Sequence, residues 1–340
     1  MNAFNIQAML EQLYQGKSLS SPQSQHFFEL VVQGEIDPIV LSSVLTALKI
    51  KGETPQEITS AAQALLAQAV AFPRPDYPFT DIVGTGGDGF GTINISTASA
   101  FVAAACGVKV CKHGSRSVSS KSGSSDLLAA FGINLNMSPE IARQCLDDLN
   151  ICFIFAPQYH AGMRFAAPVR AALKTRSIFN LLGPLVNPAR PDFELMGVYA
   201  PELLKPIAEV HKQLGMKRVM VVYGSGLDEV ALHGETEVAE LKDGEIIEYR
   251  LTPEDFGVKR YPIETIFGGD ANENKIIIEQ ILQGKGSDAQ QAAVAINVSA
   301  LLVLNGFADD FKTGASMALD MMKTGKPLQL MQQLAEQSQC

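Results

Sequence analysis

The sequence predicts an α/β protein, with a small helical N-terminal domain ahead of a larger α/β domain whose central sheet is mostly parallel. Three observations carry this reading. Before Val70 the chain shows helix signals only, while beyond residue 80 apolar strand-like runs at 151–155, 195–199 and 218–223 alternate with helical stretches, the pattern of successive βαβ units. Residues 72–78, Phe-Pro-Arg-Pro-Asp-Tyr-Pro, cannot continue a helix and read as an extended linker between the two regions. Finally, a short apolar strand ending at Gly84 runs into five glycines within eight residues and then an alanine-rich helix at 98–105.

The elements follow in order. Ser21-Pro22, Asp37-Pro38 and Thr54-Pro55 each read as an N-cap followed by proline at the first helical position, and Glu57 completes a capping box with Thr54. With an apolar stripe over residues 6–14, these give four short helices. A helical domain at 1–71 and an α/β domain at 72–340 result. In the second, residues 238–249 read as a hairpin turning at Asp243-Gly244, and the tail from Asn272 is helical and packs back on the whole.

Composition bounds the function. The 340 residues, 46% of them hydrophobic, suffice for two domains and a sizeable core. No apolar run reaches the ~18 residues of a membrane span, and Met1-Asn2-Ala3-Phe4 lacks the regions of a signal peptide, so no membrane association is expected. The cysteines are odd in number (Cys106, Cys111, Cys145, Cys152, Cys340) and show no Cys-x-x-Cys. They read as reduced thiols of a cytoplasmic protein. A net charge of −9 argues against nucleic acid as a partner.

The glycine run, Gly84-Thr85-Gly86-Gly87-Asp88-Gly89-Phe90-Gly91-Thr92-Ile93-Asn94-Ile95-Ser96-Thr97, has the character of a phosphate cradle. Glycine lets the backbone approach a ligand and turns consecutive N–H groups into one concavity, and the following helix start favours an anion. Candidate contacts are Gly84, Gly87, Asp88, Thr92, Asn94, Ile95, Ser96 and Thr97. The bland alternative is a tight strand–helix turn. Gly-x-x-x-x-Gly-Lys-Ser/Thr is absent, which argues against a P-loop ATPase. Gly84-x-Gly86-x-x-Gly89 matches the dinucleotide spacing, but no helix opens directly after it and no acid follows at the distance a ribose contact needs.

A second loop follows a strand-like run at 108–111. From Lys112-His113-Gly114-Ser115-Arg116-Ser117-Val118-Ser119-Ser120-Lys121 to Ser124 and Ser125 it holds three cations and many small donors before the first acid, Asp126. Two phosphate-type loops in consecutive βα units imply a ligand with phosphates at two places, a description phosphoribosyl pyrophosphate meets. Asp228-Glu229 follows the 218–223 strand and a Gly-Ser-Gly turn, which sets both acids at a strand's C-terminal edge, where open α/β sheets bind ligands. Adjacent acids there also suit a plain helix start. For Asp126 a capping role is expected.

These loops, together with Phe155-Ala156-Pro157-Gln158-Tyr159-His160, Ala167-Pro168-Val169-Arg170, the 179–188 run and Gly226-Leu227-Asp228-Glu229-Val230, resemble the signature of the anthranilate phosphoribosyltransferases of tryptophan biosynthesis, in family order and over essentially the whole chain. The resemblance implies Mg²⁺-dependent joining of anthranilate to ribose C1 of phosphoribosyl pyrophosphate, with release of pyrophosphate. It implies metal binding at Asp228, Glu229 and the Ser96 hydroxyl, and catalytic roles for Lys112, Asp228 and Glu229. It assigns the phosphoribosyl substrate to the glycine loop and to Lys112, His113, Gly114, Ser115, Arg116, Ser117, Val118, Ser119, Ser120 and Ser124. It assigns anthranilate to Gly84, Ser115, His160 and Arg170, with Arg170 favoured over Arg164 as the carboxylate clamp. His113 and His160 are expected to pack or touch substrate rather than act as bases. A segment around 165–190 is expected to join the helical domain, the 180–188 run to form a hinge or cleft wall with proline turns, and the chain to form a homodimer. Contact with anthranilate synthase would be non-covalent.

Two departures stand out. Ser115 occupies a position where the family has asparagine, which shortens the reach toward the aromatic substrate. Ala161-Gly162 stands where Pro-Ala is commoner, an expected loosening of the substrate tunnel. The related pyrimidine-nucleoside phosphorylases share the Lys-x-x-x-Arg-Ser-x-Ser-Ser loop but normally lack the Asp-Glu pair, and nucleic-acid-binding relatives have basic surfaces, unlike this acidic chain.

Overall fold

The computed structural model describes residues 4–116 and 122–340. The N-terminal region folds as α1 (Ile6–Tyr14), α2 (Ser21–Gln33), α3 (Pro38–Lys51) and α4 (Pro55–Ala67). Asp37 caps α3 by accepting from the Ile39 and Val40 amides, and Thr54 and Glu57 form the capping box of α4. At α2 the start lies one residue earlier than the proline suggested. Ser20 is the cap, and Gln23, three residues on, reaches back to its amide at 2.9 Å, which puts Ser21 and Pro22 inside the first turn.

Glu57 ties this bundle together. Its carboxylate is fully buried. Oε1 accepts from the Leu19 amide at 2.8 Å, and Oε2 accepts from Lys51 Nζ and the Thr54 amide, both at 2.8 Å. Ser24 donates to the Glu57 carbonyl at 2.9 Å. One side chain therefore closes the entry to α2, the end of α3 and the start of α4.

Beyond the linker come β1 (Thr80–Gly84), α5 (Ile95–Ala105), β2 (Val110–Gly114), α6 (Ser124–Ala130), α7 (Pro139–Leu149), β3 (Ile151–Phe155), α8 (Ala156–Tyr159), α9 (Ala167–Leu173) and α10 (Ile178–Leu185). Then follow β4 (Phe193–Gly197), α11 (Leu204–Gln213), β5 (Arg218–Gly224), β6 (Thr236–Lys242) and β7 (Glu245–Leu251). The tail forms α12 (Ala271–Leu282), α13 (Asp288–Leu304), α14 (Phe311–Lys323) and α15 (Lys326–Gln337). The 180–188 run is mostly helix rather than proline turns. Its apolar residues Leu182 and Leu185 are buried with Phe179 just before them, and this burial carries α10 past Pro184, which lacks the amide to pair with the carbonyl four residues back.

The sheet order is β3-β2-β1-β4-β5-β6-β7. Strands β1 to β5 pair in parallel, and β6 and β7 are antiparallel. The β6–β7 turn takes positive φ at both Asp243 (52°) and Gly244 (81°), as a two-residue hairpin requires. Side chains alternate between two cores. Ile82, Leu195, Met220 and Val222 face α5 and the C-terminal helices. Met196, Val198, Val219 and Val221 face α11 and the helical bundle, together with Phe179 of α10, whose ring meets Phe28 of α2 edge-on at 5.9 Å. No described helix is long and apolar enough to cross a membrane.

The chain winds outward from β1 to β3 and then returns to place β4 on the other side of β1. This switch point lies between β1 and β4, at the carboxyl ends of strands that finish in Gly84, Gly114, Gly197 and Gly224. Replacing Glu57 by Gln turns one acceptor oxygen into a donor facing buried donors. The variant is expected to lose roughly 3–5 kcal/mol, the cost of breaking a buried charge pair from one side, read as a lower urea midpoint in far-UV circular dichroism.

Candidate active site

At the switch point the loop after β5 folds back across the ends of β4 and β1. It comes so close that a Cβ on Gly197 would lie 1.6 Å from the Asp228 carbonyl oxygen, and one on Gly84 2.3 Å from Asp228 Oδ2. Asp228 Oδ2 accepts from the Gly86 amide at 2.6 Å, and Glu229 Oε1 from the Ser96 amide at 3.1 Å, in the first turn of α5. Behind them Asn297 of α13 accepts from the Val230 amide at 3.0 Å and fixes the loop's exit.

Lys112 rises from β2 into the same space. Its ammonium donates to the Ile82 carbonyl at 2.6 Å and to Ser96 Oγ at 3.4 Å. Burial pushes both loop carboxyls above the ordinary range. Asp88 adds to the rise at Asp228, and Asp228 adds to that at Glu229, which Lys112 partly offsets. Burial lowers the Lys112 ammonium against the opposing pull of Asp81, Glu229 and Asp228. Among the described residues, neither loop carboxylate forms an ion pair within 4 Å. Two adjacent hard oxygen donors without a cation of their own fit Mg²⁺, an ion that proteins commonly hold through one or two carboxylates while substrate phosphates and water complete the shell.

The glycine loop is held at several points. Gly86 and Gly87 take φ of 71° and 77°, open to glycine at little cost. Asp88 Oδ1 accepts from the Phe90 amide at 3.2 Å. Thr92 bridges to Phe267, and the Ile93 amide donates to the Ile266 carbonyl at 3.0 Å. Asn94 does not cap α5 with its side chain. It donates instead to the Ser122 carbonyl at 3.1 Å and accepts from Asn274 of α12 at 2.9 Å, joining the two loops. The Ile95 side chain is buried in the core and its amide is engaged by the Ile93 carbonyl, so it offers no free donor. Thr97 is fully buried, its hydroxyl without a partner among the described residues.

In the second loop Gly114 is followed by exposed Ser115 and Arg116, and Ser124 Oγ donates to the Ser115 carbonyl at 3.4 Å. Asp126 accepts from the Gly123 amide at 3.0 Å and so caps α6. Ser117, Val118, Ser119 and Ser120 lie outside the described residues. His113 and His160 are buried with their rings 5.7 Å apart, edge to face, and His160 Nε2 lies 2.8 Å from the Val186 carbonyl oxygen. Burial pushes both imidazoles down, His113 to about 3.

Beneath these groups lies a clamp the motifs did not reveal. Buried Asp81 accepts from the Ile82 and His113 amides at 2.7 and 3.1 Å and from Asn187 Nδ2 at 2.9 Å. Asn187 also donates to the Cys111 carbonyl at 2.9 Å. β1, β2 and the exit of α10 are thereby locked together under Lys112.

The arginines belong to the helical side. Half-buried Arg170 on α9 lies over the Phe179 ring at 5.4 Å, while exposed Arg164 lies over Phe165 at 4.8 Å. Gly162 does not loosen this wall. A Cβ there would lie 2.4 Å from the Val32 carbonyl oxygen, so the single-turn helix Ala161–Phe165 presses tightly on α2. Arg176, unremarked in the sequence, donates to the Gly87 carbonyl and lies over the Tyr199 ring at 3.9 Å.

The helical bundle and the doubly wound sheet correspond to the two domains of the glycosyl transferase family. Residues 76–328 match the glycosyl transferase family a/b domain, and residues 7–69 match its helical bundle domain. The chain is 83% identical to the anthranilate phosphoribosyltransferase of Psychromonas ingrahamii over 340 residues, the whole of both chains, and 63% identical to that of Tolumonas auensis over 96% of this chain and 97% of the other. The crystal structure of the Thermus thermophilus anthranilate phosphoribosyltransferase superposes with a TM-score of 0.92 at 38% identity, covering 97% of this chain and 99% of that one. The Saccharomyces cerevisiae enzyme in complex with PRPP and Mg gives 0.91 at 27% identity over 98% of each. The chain belongs to the anthranilate phosphoribosyltransferases.

The close approach at the sheet edge is open to test. Gly84→Ala presses on the Asp228 carboxylate, which can swing away. Turnover is expected to fall roughly tenfold or more, equivalent to about 1.4 kcal/mol of lost transition-state binding, with little change in Tm. Gly197→Ala presses on main chain and is expected to lower Tm and turnover together. Melting curves beside steady-state rates separate the two.

Proposed function

We propose that this chain transfers the phosphoribosyl group of phosphoribosyl pyrophosphate to the amino group of anthranilate, giving N-(5-phosphoribosyl)anthranilate and pyrophosphate. The observation that carries this reading is the meeting of Lys112, Asp228 and Glu229 between the two donor-rich loops, in a chain so similar throughout to proteins of that name. The amine nitrogen attacks ribose C1 as the bond from C1 to the pyrophosphate oxygen breaks, and the nitrogen then releases a proton. An arylamine carries its lone pair at neutral pH, so attack needs no base. His113, held near 3, would be a poor one.

Lys112 and the glycine-loop N–H groups offset charge as it develops on the departing pyrophosphate, and holding amine and C1 in line removes much of the entropic barrier. Mg²⁺, when bound, neutralises the pyrophosphate and favours its departure. Asp228 and Glu229, with the Ser96 hydroxyl beside them, are the residues that would hold it. Arg170 is assigned to the anthranilate carboxylate, since its guanidinium is half-buried with no ion-pair partner within 4 Å among the described residues. Residues 1–71 with the segment around 165–190 are taken as the acceptor-side unit and the rest of 72–340 as the donor-binding unit. Exposed Ile39 and Ile50 on α3 suit a homodimer joined through the helical domain, acting in the cytoplasm.

Mixing the protein with phosphoribosyl pyrophosphate, Mg²⁺ and anthranilate is expected to consume anthranilate fluorescence; a flat trace refutes the assignment. Asp228→Asn combined with Glu229→Gln is expected to remove most turnover while leaving the circular dichroism spectrum unchanged, because neutral amides hold Mg²⁺ poorly. Near-normal turnover at limiting Mg²⁺ would place the metal elsewhere. Arg170→Ala is expected to raise the KM for anthranilate about tenfold to over a hundredfold, from roughly 1.5–3 kcal/mol of charge-assisted hydrogen bonding, with a smaller fall in kcat. A larger loss in Arg164→Ala would transfer the clamp to Arg164.

A further inference from the structure

Arg176 lies in the short link between α9 and α10, and the residues that follow it, Ser177, Ile178 and Phe179, are buried on the helical side of the molecule. From there its guanidinium crosses to the α/β side and donates to the carbonyl of Gly87. The guanidinium carbon lies over the ring of Tyr199, two residues beyond the end of β4, at 3.9 Å from its centroid. No carboxylate lies within 4 Å of it among the described residues, so the backbone carbonyl and the ring are what hold it.

The contact falls between two open positions of the glycine loop. No atom lies within 4 Å of where a Cβ would stand on Gly86 or Gly89, and both residues take positive φ. Side-chain packing therefore does little to fix this stretch. Two polar pins do. Asp228 holds the Gly86 amide from the sheet side, and Arg176 holds the Gly87 carbonyl from the helical side. Because an amide plane is rigid, fixing the Gly87 carbonyl also sets the direction of the Asp88 N–H that shares its peptide bond. An arginine suits the task, since it stays charged, stacks on an aromatic face and still directs N–H groups outward.

We propose that Arg176 is a positioning residue for the donor side of the reaction. It reaches from the helical domain to hold the glycine loop in the conformation that receives a phosphate group of the phosphoribosyl donor. The order of the loop then depends on a contact made from the link between α9 and α10. This rests on the reading of the glycine loop as the donor's phosphate cradle.

Two measurements test it on the full-length protein. In the ligand-free enzyme, hydrogen–deuterium exchange by mass spectrometry on Arg176→Ala should show several-fold faster exchange in peptides covering residues 85–91, with peptides from α5 and α10 unchanged. In steady state, Arg176→Ala should raise the KM for phosphoribosyl pyrophosphate about tenfold, the scale of one charge-assisted hydrogen bond, and leave the KM for anthranilate within about twofold. Arg176→Lys should recover part of the donor affinity, having a charge and donors but no flat face, and Tyr199→Leu should shift the same two readouts by less. Unchanged exchange at 85–91 with an unchanged donor KM overturns the proposal. So does an even rise in both KM values with a lower Tm, which marks a purely structural residue. If the wild-type protein does not turn over phosphoribosyl pyrophosphate with anthranilate, the functional reading fails, and the exchange experiment alone still decides whether Arg176 holds the loop.

Discussion

The loop after β5 passes so near the ends of β1 and β4 that the Asp228 carbonyl occupies the space a side chain at position 197 would need. That approach is possible because both strands finish in glycine, and it decides the rest of the site. It brings Asp228 within reach of the Gly86 amide and Glu229 within reach of the first turn of α5. Both interactions favour the ionised carboxylates, the second through the N-terminal end of a helix as well. Burial and mutual repulsion work the other way and prevail, since both acids are shifted upward. Without a cation the pair therefore resists full ionisation beside its one lysine, and a divalent cation bearing phosphates would relieve the burial and repulsion that oppose it.

The layer beneath explains how Lys112 can be so exactingly placed. β2 must present Lys112 beside the β1–β4 seam while burying its stem. Asp81 on the neighbouring strand accepts the His113 amide and supplies a countercharge, and Asn187 closes the remaining carboxylate oxygen. A half-satisfied version of this cluster would be costly in such a buried position. Its completeness fixes the β1–β2 relationship and ties the exit of α10 to the sheet. The imidazoles above it, pushed down by burial, remain neutral and act as shape.

The parts visible in the sequence are those whose chemistry is local. Strand β3 and the β6–β7 hairpin follow from apolar runs and an Asp-Gly turn, the caps at Asp37 and Thr54 from residues within three positions of each other, and the two loops from their glycines and serines. Local reading missed where two local signals competed, as at Ser20, where Gln23 outweighs the proline cue. It took the 180–188 run for turns because Pro184 was weighed above the apolar face that buries α10. The links that assemble the site are long-range: Asp81 to Asn187, Asn94 to Asn274 and Arg176 to Gly87 join positions some ninety or more residues apart and form only once the sheet has closed. No spacing rule reports them.

The division of labour between the layers has a chemical reason under the proposed reaction. Displacement at ribose C1 requires the amine to approach opposite the departing pyrophosphate, so the partners must be gripped from different directions. The sheet edge carries the backbone donors and carboxylates suited to phosphate and metal, while the helical side carries Arg170 and presses Gly162 against α2. Water competes with the amine for the same carbon whenever the donor is bound with the cleft open. A loop held partly from the helical side ties the donor's cradle to the side that carries Arg170. On this view the asymmetry of the fold, a small bundle leaning over a large sheet, follows from a reaction whose two substrates must be gripped from different directions.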